Sequence, residues 1–298
     1  MKSVEKLKSK KLLYSIFGVF GFLMLAGYVL SGMVLYPKIN CNPNFHIYCK
    51  DPLERGLQFE EVSVLTSDGL ELKSWYIPGD SSKKGILLVH GHGGMRNEGL
   101  RFSKVLHDSG YNLLLLSLRR NSGSFASMGY HEVKDVQAGV QYLKEVKQLD
   151  TIGILGFSMG AATSIMAMES NQEIKAGIFS SGFSSAISVL VESAWRDFSI
   201  PRYPLFPIAE FFINLRGNMK IGEVLPLEKI GRISPRPVFI MHCDRDDFVS
   251  SIHANILFER AKEPKEIWIP SCDKHEQIWN FYPDESEKKV KNFFEKNL

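Results

Sequence analysis

Residues 151–168 read Thr-Ile-Gly-Ile-Leu-Gly-Phe-Ser-Met-Gly-Ala-Ala-Thr-Ser-Ile-Met-Ala-Met. The apolar run Thr151–Leu155 predicts a buried strand, and Ala161–Met168 predicts a helix. Between them stands Gly156-Phe157-Ser158-Met159-Gly160. A Gly-x-Ser-x-Gly sequence at a strand-to-helix junction is a nucleophile elbow. Its glycines permit tight backbone approach, and its turn lifts the serine hydroxyl above the sheet edge. The helix that begins there adds partial positive charge near a developing oxyanion.

Upstream, His90-Gly91-His92-Gly93-Gly94 follows the apolar run Ile86–Val89. Acyl transfer needs two main-chain N–H donors aimed at the tetrahedral oxygen, one after the nucleophile and one from this earlier loop. Met159 and His92 are the candidates. His90 and His92 have no carboxylate or third histidine near them in sequence, so neither a metal nor a cofactor is expected.

Apolar runs at Ile86–Val89, Asn112–Leu118, Ile152–Leu155 and Ile174–Phe179 alternate with segments of helical spacing, as in Val133, Val136, Val140 and Leu143. That alternation predicts an α/β architecture, a mostly parallel sheet with helices on both faces. Ser67-Asp68-Gly69 between alternating runs at 59–66 and 70–77 predicts a leading β-hairpin. Two later strands, Pro237–Met241 and Lys265–Ile269, flank a helical stretch at 252–261, and a helix over 284–297 closes the chain. Residues at about 183–235 break the alternation. This insertion holds Trp195, Phe198, Tyr203, Phe206, Phe211 and Phe212.

The amino-terminal region reads differently. Leu12–Tyr36 is a run of 25 residues without a charge. At about 1.5 Å per residue it forms roughly 37 Å of helix, enough to cross a hydrocarbon core of about 30 Å. It is longer than a secretory h-region and lacks an Ala-x-Ala-like cleavage site, so a retained anchor is expected rather than a cleaved signal. Lys2, Lys6, Lys8, Lys10 and Lys11 precede it, which places the amino terminus in the cytoplasm and the rest outside it. The same lysines carry the chain's formal net charge of +3, leaving the remainder near neutral. A nucleic-acid partner is therefore not expected. The expected organisation is a basic tail (1–11), an anchor (12–36), a connector (37–57) and one catalytic domain (58–298).

On HGHGG at 90–94, GFSMG at 156–160, the Gly129, Glu132 and Asp135 run, and Ser180-Ser181-Gly182-Phe183, the chain after residue 57 resembles the α/β-hydrolases. It is most similar to their serine-aminopeptidase-like and monoacylglycerol-lipase-like branch, which includes membrane-anchored bacterial members. The resemblance implies the order serine, acid, histidine. His242-Cys243-Asp244-Arg245-Asp246-Asp247-Phe248-Val249 is similar to the family's His-Gly-x-x-Asp-x-x-Val and selects Asp246, with Asp244 and Asp247 as neighbours that compete. His275, after the last strand, is then the base. The insertion at 183–235 becomes a lid, lined for apolar substrates or holding a small core of its own.

If the last two strands are neighbours, as in the family, Cys243 and Cys272 sit at matching heights and form a disulfide, with Cys41–Cys49 closing a juxtamembrane loop. One departure stands out. Relatives read Asp-x-Arg-Gly-x-Gly-x-Ser where this chain has Ser117-Leu118-Arg119-Arg120-Asn121-Ser122-Gly123-Ser124.

The implied function is a membrane-anchored serine hydrolase acting on small-molecule or lipid-like esters through Ser158, His275 and Asp246. A serine peptidase with the same residues, and a silent binding module on the same fold, are the alternatives. The sequence is silent on oligomeric state and on the physiological substrate.

Overall fold

The computed structural model describes residues 2–41, 48–80 and 83–298. Part of the expected connector, 42–47, and Met1 of the expected tail lie outside the described residues. The described strands are β1 (Glu60–Leu65), β2 (Glu71–Ile77), β3 (Lys84–Val89), β4 (Asn112–Leu116), β5 (Thr151–Phe157), β6 (Ile174–Ser180), β7 (Val238–Met241) and β8 (Lys265–Trp268). They form one sheet in the order β1-β2-β4-β3-β5-β6-β7-β8, parallel from β4 to β8 and antiparallel at the β1/β2 and β2/β4 pairings.

Burial explains why these segments read as they do. Every residue of β4 and nearly every residue of β3, β5 and β6 is buried, because helices cover both faces. β1 is largely exposed, as an edge strand can be. One face carries α3 (Glu132–Gln141) and α4 (Met159–Ser170), whose Val136, Val140, Ile165 and Met168 pack with Leu87 and Ile154. The other carries α2 (Leu100–Asp108) and α10 (Pro283–Asn297), whose Leu106, Val290, Phe293 and Phe294 pack with Ile86 and Leu155. A fully buried side chain of this size contributes about 1.5–3 kcal/mol.

Helix α1 runs Lys2–Leu35, so the helix extends back through the lysines that precede the apolar run. Its stretch Lys10–Leu35 is long and apolar enough to cross a membrane. Between β6 and β7 the insertion folds as α5 (Ala186–Phe198) and α6 (Leu205–Gly217), followed by short turns including α7 (Pro226–Lys229). Then come α8 (Ile252–Arg260), and α9 (Ile278–Phe281) before α10.

α6 lies along the last turns of α1. A Cβ at Gly27 would meet Ile208 Cγ2 at 2.7 Å, Tyr28 meets Phe212 edge-on with ring centroids 5.6 Å apart, and Arg216 donates to the Tyr28 carbonyl (2.9 Å) and Ser31 Oγ (2.6 Å). Both numberings rise together, so the two helices run in the same direction.

β7 and β8 are adjacent and parallel, with Met241 opposite Trp268. Just beyond them Cys243 and Cys272 are disulfide-bonded with Cα atoms 4.9 Å apart, and Cys41 is bonded to Cys49.

Candidate active site

The site lies where β3, β5, β7 and β8 end, the edge at which loops of an open parallel sheet converge. Ser158 sits between β5 and α4 at φ 50°, ψ −117°, a conformation that a non-glycine residue holds only when its surroundings force it. Its N–H donates to the Ser180 carbonyl at 2.8 Å. The two flanking glycines are required by contact. A Cβ on Gly160 would stand 2.2 Å from the Val89 carbonyl oxygen, and one on Gly156 would stand 2.4 Å from that of Gly160.

The structure brings the three sequence-selected side chains into one chain of hydrogen bonds. Ser158 Oγ lies 2.8 Å from His275 Nε2, and His275 Nδ1 lies 2.8 Å and 3.0 Å from the two Asp246 carboxylate oxygens. Of the three aspartates in that loop, Asp246 alone faces the imidazole. Asp247 accepts from the His275 main-chain N–H (3.0 Å), and Asp244 accepts from the Cys272 N–H (3.0 Å). The two neighbours thus fasten the loop carrying Asp246 to the loop carrying His275, alongside the Cys243–Cys272 bridge.

Asp246 also accepts from the N–H groups of Phe248 and Val249, each at 2.8 Å, and faces His242 Nε2 at 3.3 Å. Burial alone would raise its pKa, but the hydrogen bonds from His242 and His275 outweigh burial and hold the carboxyl well below the ordinary carboxylate range. For His275, burial works toward a lower pKa, but the hydrogen bond and charge of Asp246 prevail and raise it above the ordinary histidine value of 6.5. The Phe248 ring packs on the imidazole at 5.2 Å.

His92 stands beside this chain on the loop after β3. Its imidazole Nε2 lies 2.8 Å from the Val34 carbonyl, near the end of α1. Burial lowers its pKa, so the neutral ring donates Nε2–H to that carbonyl. His90 Nε2 accepts from the Leu118 N–H at 3.1 Å and so fixes the end of β4.

Ser158 lies on the boundary between two cavities. The first, of about 240 Å³, is walled by apolar side chains of α1, α5 and α6 together with Met128, Phe183 and Val249. The second, of about 540 Å³, is more polar than the first, with Lys38, Asn40, Arg196, Asp247 and Glu276 around His275.

Three features were not read from the sequence. A buried carboxyl pair, Glu98 and Glu276, lies under the site. Glu98 accepts from the Gly91 N–H at 2.6 Å, and burial together with the Glu276 charge raises its pKa well above the ordinary carboxylate range. Arg101 pairs with Glu276 at 3.3 Å. The third is His242 behind Asp246; it belongs to the quoted His242–Val249 run, which could have flagged it.

The atypical loop after β4 is pinned by charge. Arg119 pairs with Asp135 at 2.6 Å and with Asp68 at 3.1 Å, and its N–H donates to Asp135 at 2.8 Å.

A family model described as the prolyl oligopeptidase family matches residues 121–286. Among relatives, the uncharacterized Bacillus subtilis protein YqkD is 26% identical over 302 residues, covering 96% of this chain and 97% of its own. The Arabidopsis thaliana alpha/beta hydrolase domain-containing protein WAV2 is 25% identical over 227 residues, with 70% and 69% covered. Among solved structures, the Pyrococcus furiosus esterase Pf2001 is 23% identical with a TM-score of 0.70, covering 88% of this chain and 99% of that one. The Pyrococcus horikoshii acylaminoacyl peptidase is 19% identical with a TM-score of 0.61, covering 81% of this chain and 42% of that one.

Proposed function

The chain belongs to the prolyl oligopeptidase family and has the α/β-hydrolase fold, and from that premise we propose that it is a membrane-anchored serine hydrolase that cleaves carboxylic esters. The observation that carries the reading is the continuous hydrogen-bond chain from Ser158 Oγ through His275 to Asp246, set at a strained elbow beside an apolar cavity.

In this reading Ser158 Oγ attacks the ester carbonyl carbon as His275 Nε2 takes its proton. Asp246 holds the Nδ1–H tautomer and supports the imidazolium. The main-chain N–H groups of His92 and Met159 receive the oxyanion. Collapse of the tetrahedral intermediate expels the alcohol, which takes the proton from His275 and leaves an acyl-Ser158. Water, deprotonated by the same imidazole, then attacks the acyl carbon, and Ser158 Oγ leaves as it takes that proton back from His275, releasing the acid. The acyl group occupies the apolar cavity and the leaving group faces the more polar one.

The anchor and the location of the body outside the cytoplasm are supported by the uncharged run to Tyr36, the lysines before it and two disulfides, which persist in oxidising compartments. A peptidase is the second reading, favoured by the family's name and by the acylaminoacyl peptidase among the similar structures.

The test is hydrolysis of p-nitrophenyl esters and aminoacyl amides by the full chain, with fluorophosphonate labelling. Ester turnover and labelling are expected, and Ser158→Ala should abolish both, with a loss of at least about 10⁴-fold. Undiminished turnover in that variant would overturn the assignment. Turnover of amides alone would favour the peptidase.

A further inference from the structure

The apolar cavity at Ser158 is closed on one side by a segment that an anchor has no need to contribute. Leu30, Met33 and Val34 of α1 line it, together with Leu190 of α5 and Ala209 of α6. The same stretch is fixed to the site at a second point, through the hydrogen bond from the His92 imidazole to the Val34 carbonyl. A third contact follows one residue on, where the Leu35 carbonyl accepts from the Ala126 N–H at 2.8 Å. The end of the membrane helix is thus built into the site.

The level at which this happens is set by helix geometry. Gly27, at the α6 contact, lies nine residues before Tyr36, which at about 1.5 Å per residue is roughly 14 Å down the axis. If the uncharged run spans a hydrocarbon core of about 30 Å, the α1–α6 contact extends through about the outer half of it. α6 runs in the same direction as α1, so its start lies deeper than its own end. Exposed apolar side chains of the insertion suit that setting, Phe211 and Leu215 on α6 with Trp195, Phe198 and Tyr203 before it, while the charged Arg196 and Asp197 turn to the cavity that Lys38 lines. In water such a patch is costly, whereas beside an apolar span it is continuous with lipid.

We infer that the last two turns of α1 are a specificity-determining wall of the active site, and that the site draws its substrate, the acyl chain of a membrane-resident lipid ester, from the bilayer in which α1 lies. This rests on the serine-hydrolase and anchor readings above and deepens them. Val34 sits next to the loop after β3, and Leu30 lies one turn, about 5–6 Å, farther from it. Leu30 is therefore the residue against which chain length is measured.

The test uses the full chain in phospholipid nanodiscs with p-nitrophenyl esters from two to sixteen carbons. Leu30→Trp fills the cavity and should lower the ratio of twelve-carbon to two-carbon kcat/KM by about tenfold or more, the scale on which apolar pockets discriminate. Leu30→Ala enlarges the cavity and should move the preferred length upward. Phe22→Trp, on the exposed surface of α1, should leave the ratio as in the unsubstituted chain.

Fluorophosphonate labelling verifies that each variant retains a formed site. Unchanged length profiles in labelled Leu30→Trp and Leu30→Ala proteins would overturn the inference while leaving the hydrolase reading intact. Absence of labelling in the unsubstituted chain would overturn that reading, and this inference with it.

Discussion

Arg101 and Glu276 face each other at 3.3 Å although 175 residues separate them, with side chains only 2% and 3% exposed. Glu276 directly follows His275, and Arg101 also donates to the Glu276 main-chain carbonyl. The guanidinium lies over the Phe157 ring, one residue before Ser158, at 4.8 Å. One cation thus touches the ring of the residue before the serine and the main chain of the residue after the histidine. Removing it would leave the Glu98–Glu276 pair without its compensating charge, and breaking a buried pair from one side costs about 3–5 kcal/mol. Arg101→Met is therefore expected to lower the melting temperature markedly, and to lower kcat more than it raises KM because the His275 loop loosens. A melting curve of the full chain in detergent, with ester kinetics, checks both; a wild-type melting temperature would refute the account.

The pH profile follows from the His275–Asp246 contact. In the proposed mechanism His275 Nε2 must be without a proton, and its pKa in the folded protein lies above 6.5. As pH falls through that raised value the imidazole becomes protonated and activity drops. The acid limb of kcat/KM should accordingly lie above pH 6.5. In Asp246→Asn the main raising partner is gone while burial remains, with only the charges of Glu276 and Asp247 still acting upward, so the limb should move to lower pH while kcat falls by about 10⁴-fold. A limb that stays in place in the variant would show that another group sets it. The stability term has the opposite sense. A histidine whose folded pKa is raised stabilises the fold below its unfolded pKa of about 6.5, and this contribution is lost as pH rises through the folded value.

The same contrast between local and distant partners explains what was legible in the sequence. The strands at 86–89, 152–155 and 174–179 were readable because burial on both faces demands unbroken apolar runs. The elbow was readable because positions 156 and 160 admit no side chain. Asp246, His275 and the Cys243–Cys272 pairing came through resemblance, since each depends on β7 and β8 being neighbours. Glu98, Arg101 and Glu276 gave no signal. Their charges look like ordinary surface residues until α2 is packed under the His275 loop. The contact of α1 with the site was hidden for a related reason: an uncharged run announces that a helix can enter a bilayer, and says nothing of which side chains it meets at its end.

That contact depends on glycine at position 27. A Cβ there would lie 2.7 Å from Ile208 Cγ2 and 3.1 Å from the Ala209 main-chain nitrogen, closer than packed atoms tolerate. Ile208 Cγ2 can shift, whereas the Ala209 backbone moves only with its helix. Small residues at such crossings are what let two apolar helices approach closely. Gly27→Val should therefore separate α6 from α1 and loosen the insertion, whose segment just after α6 carries the exposed Lys220. The expected outcome is faster tryptic cleavage at Lys220 in the full chain, while sites in the sheet domain are cut at the wild-type rate. Cleavage at Lys220 no faster than in the unsubstituted chain would mean that α6 holds its position without α1.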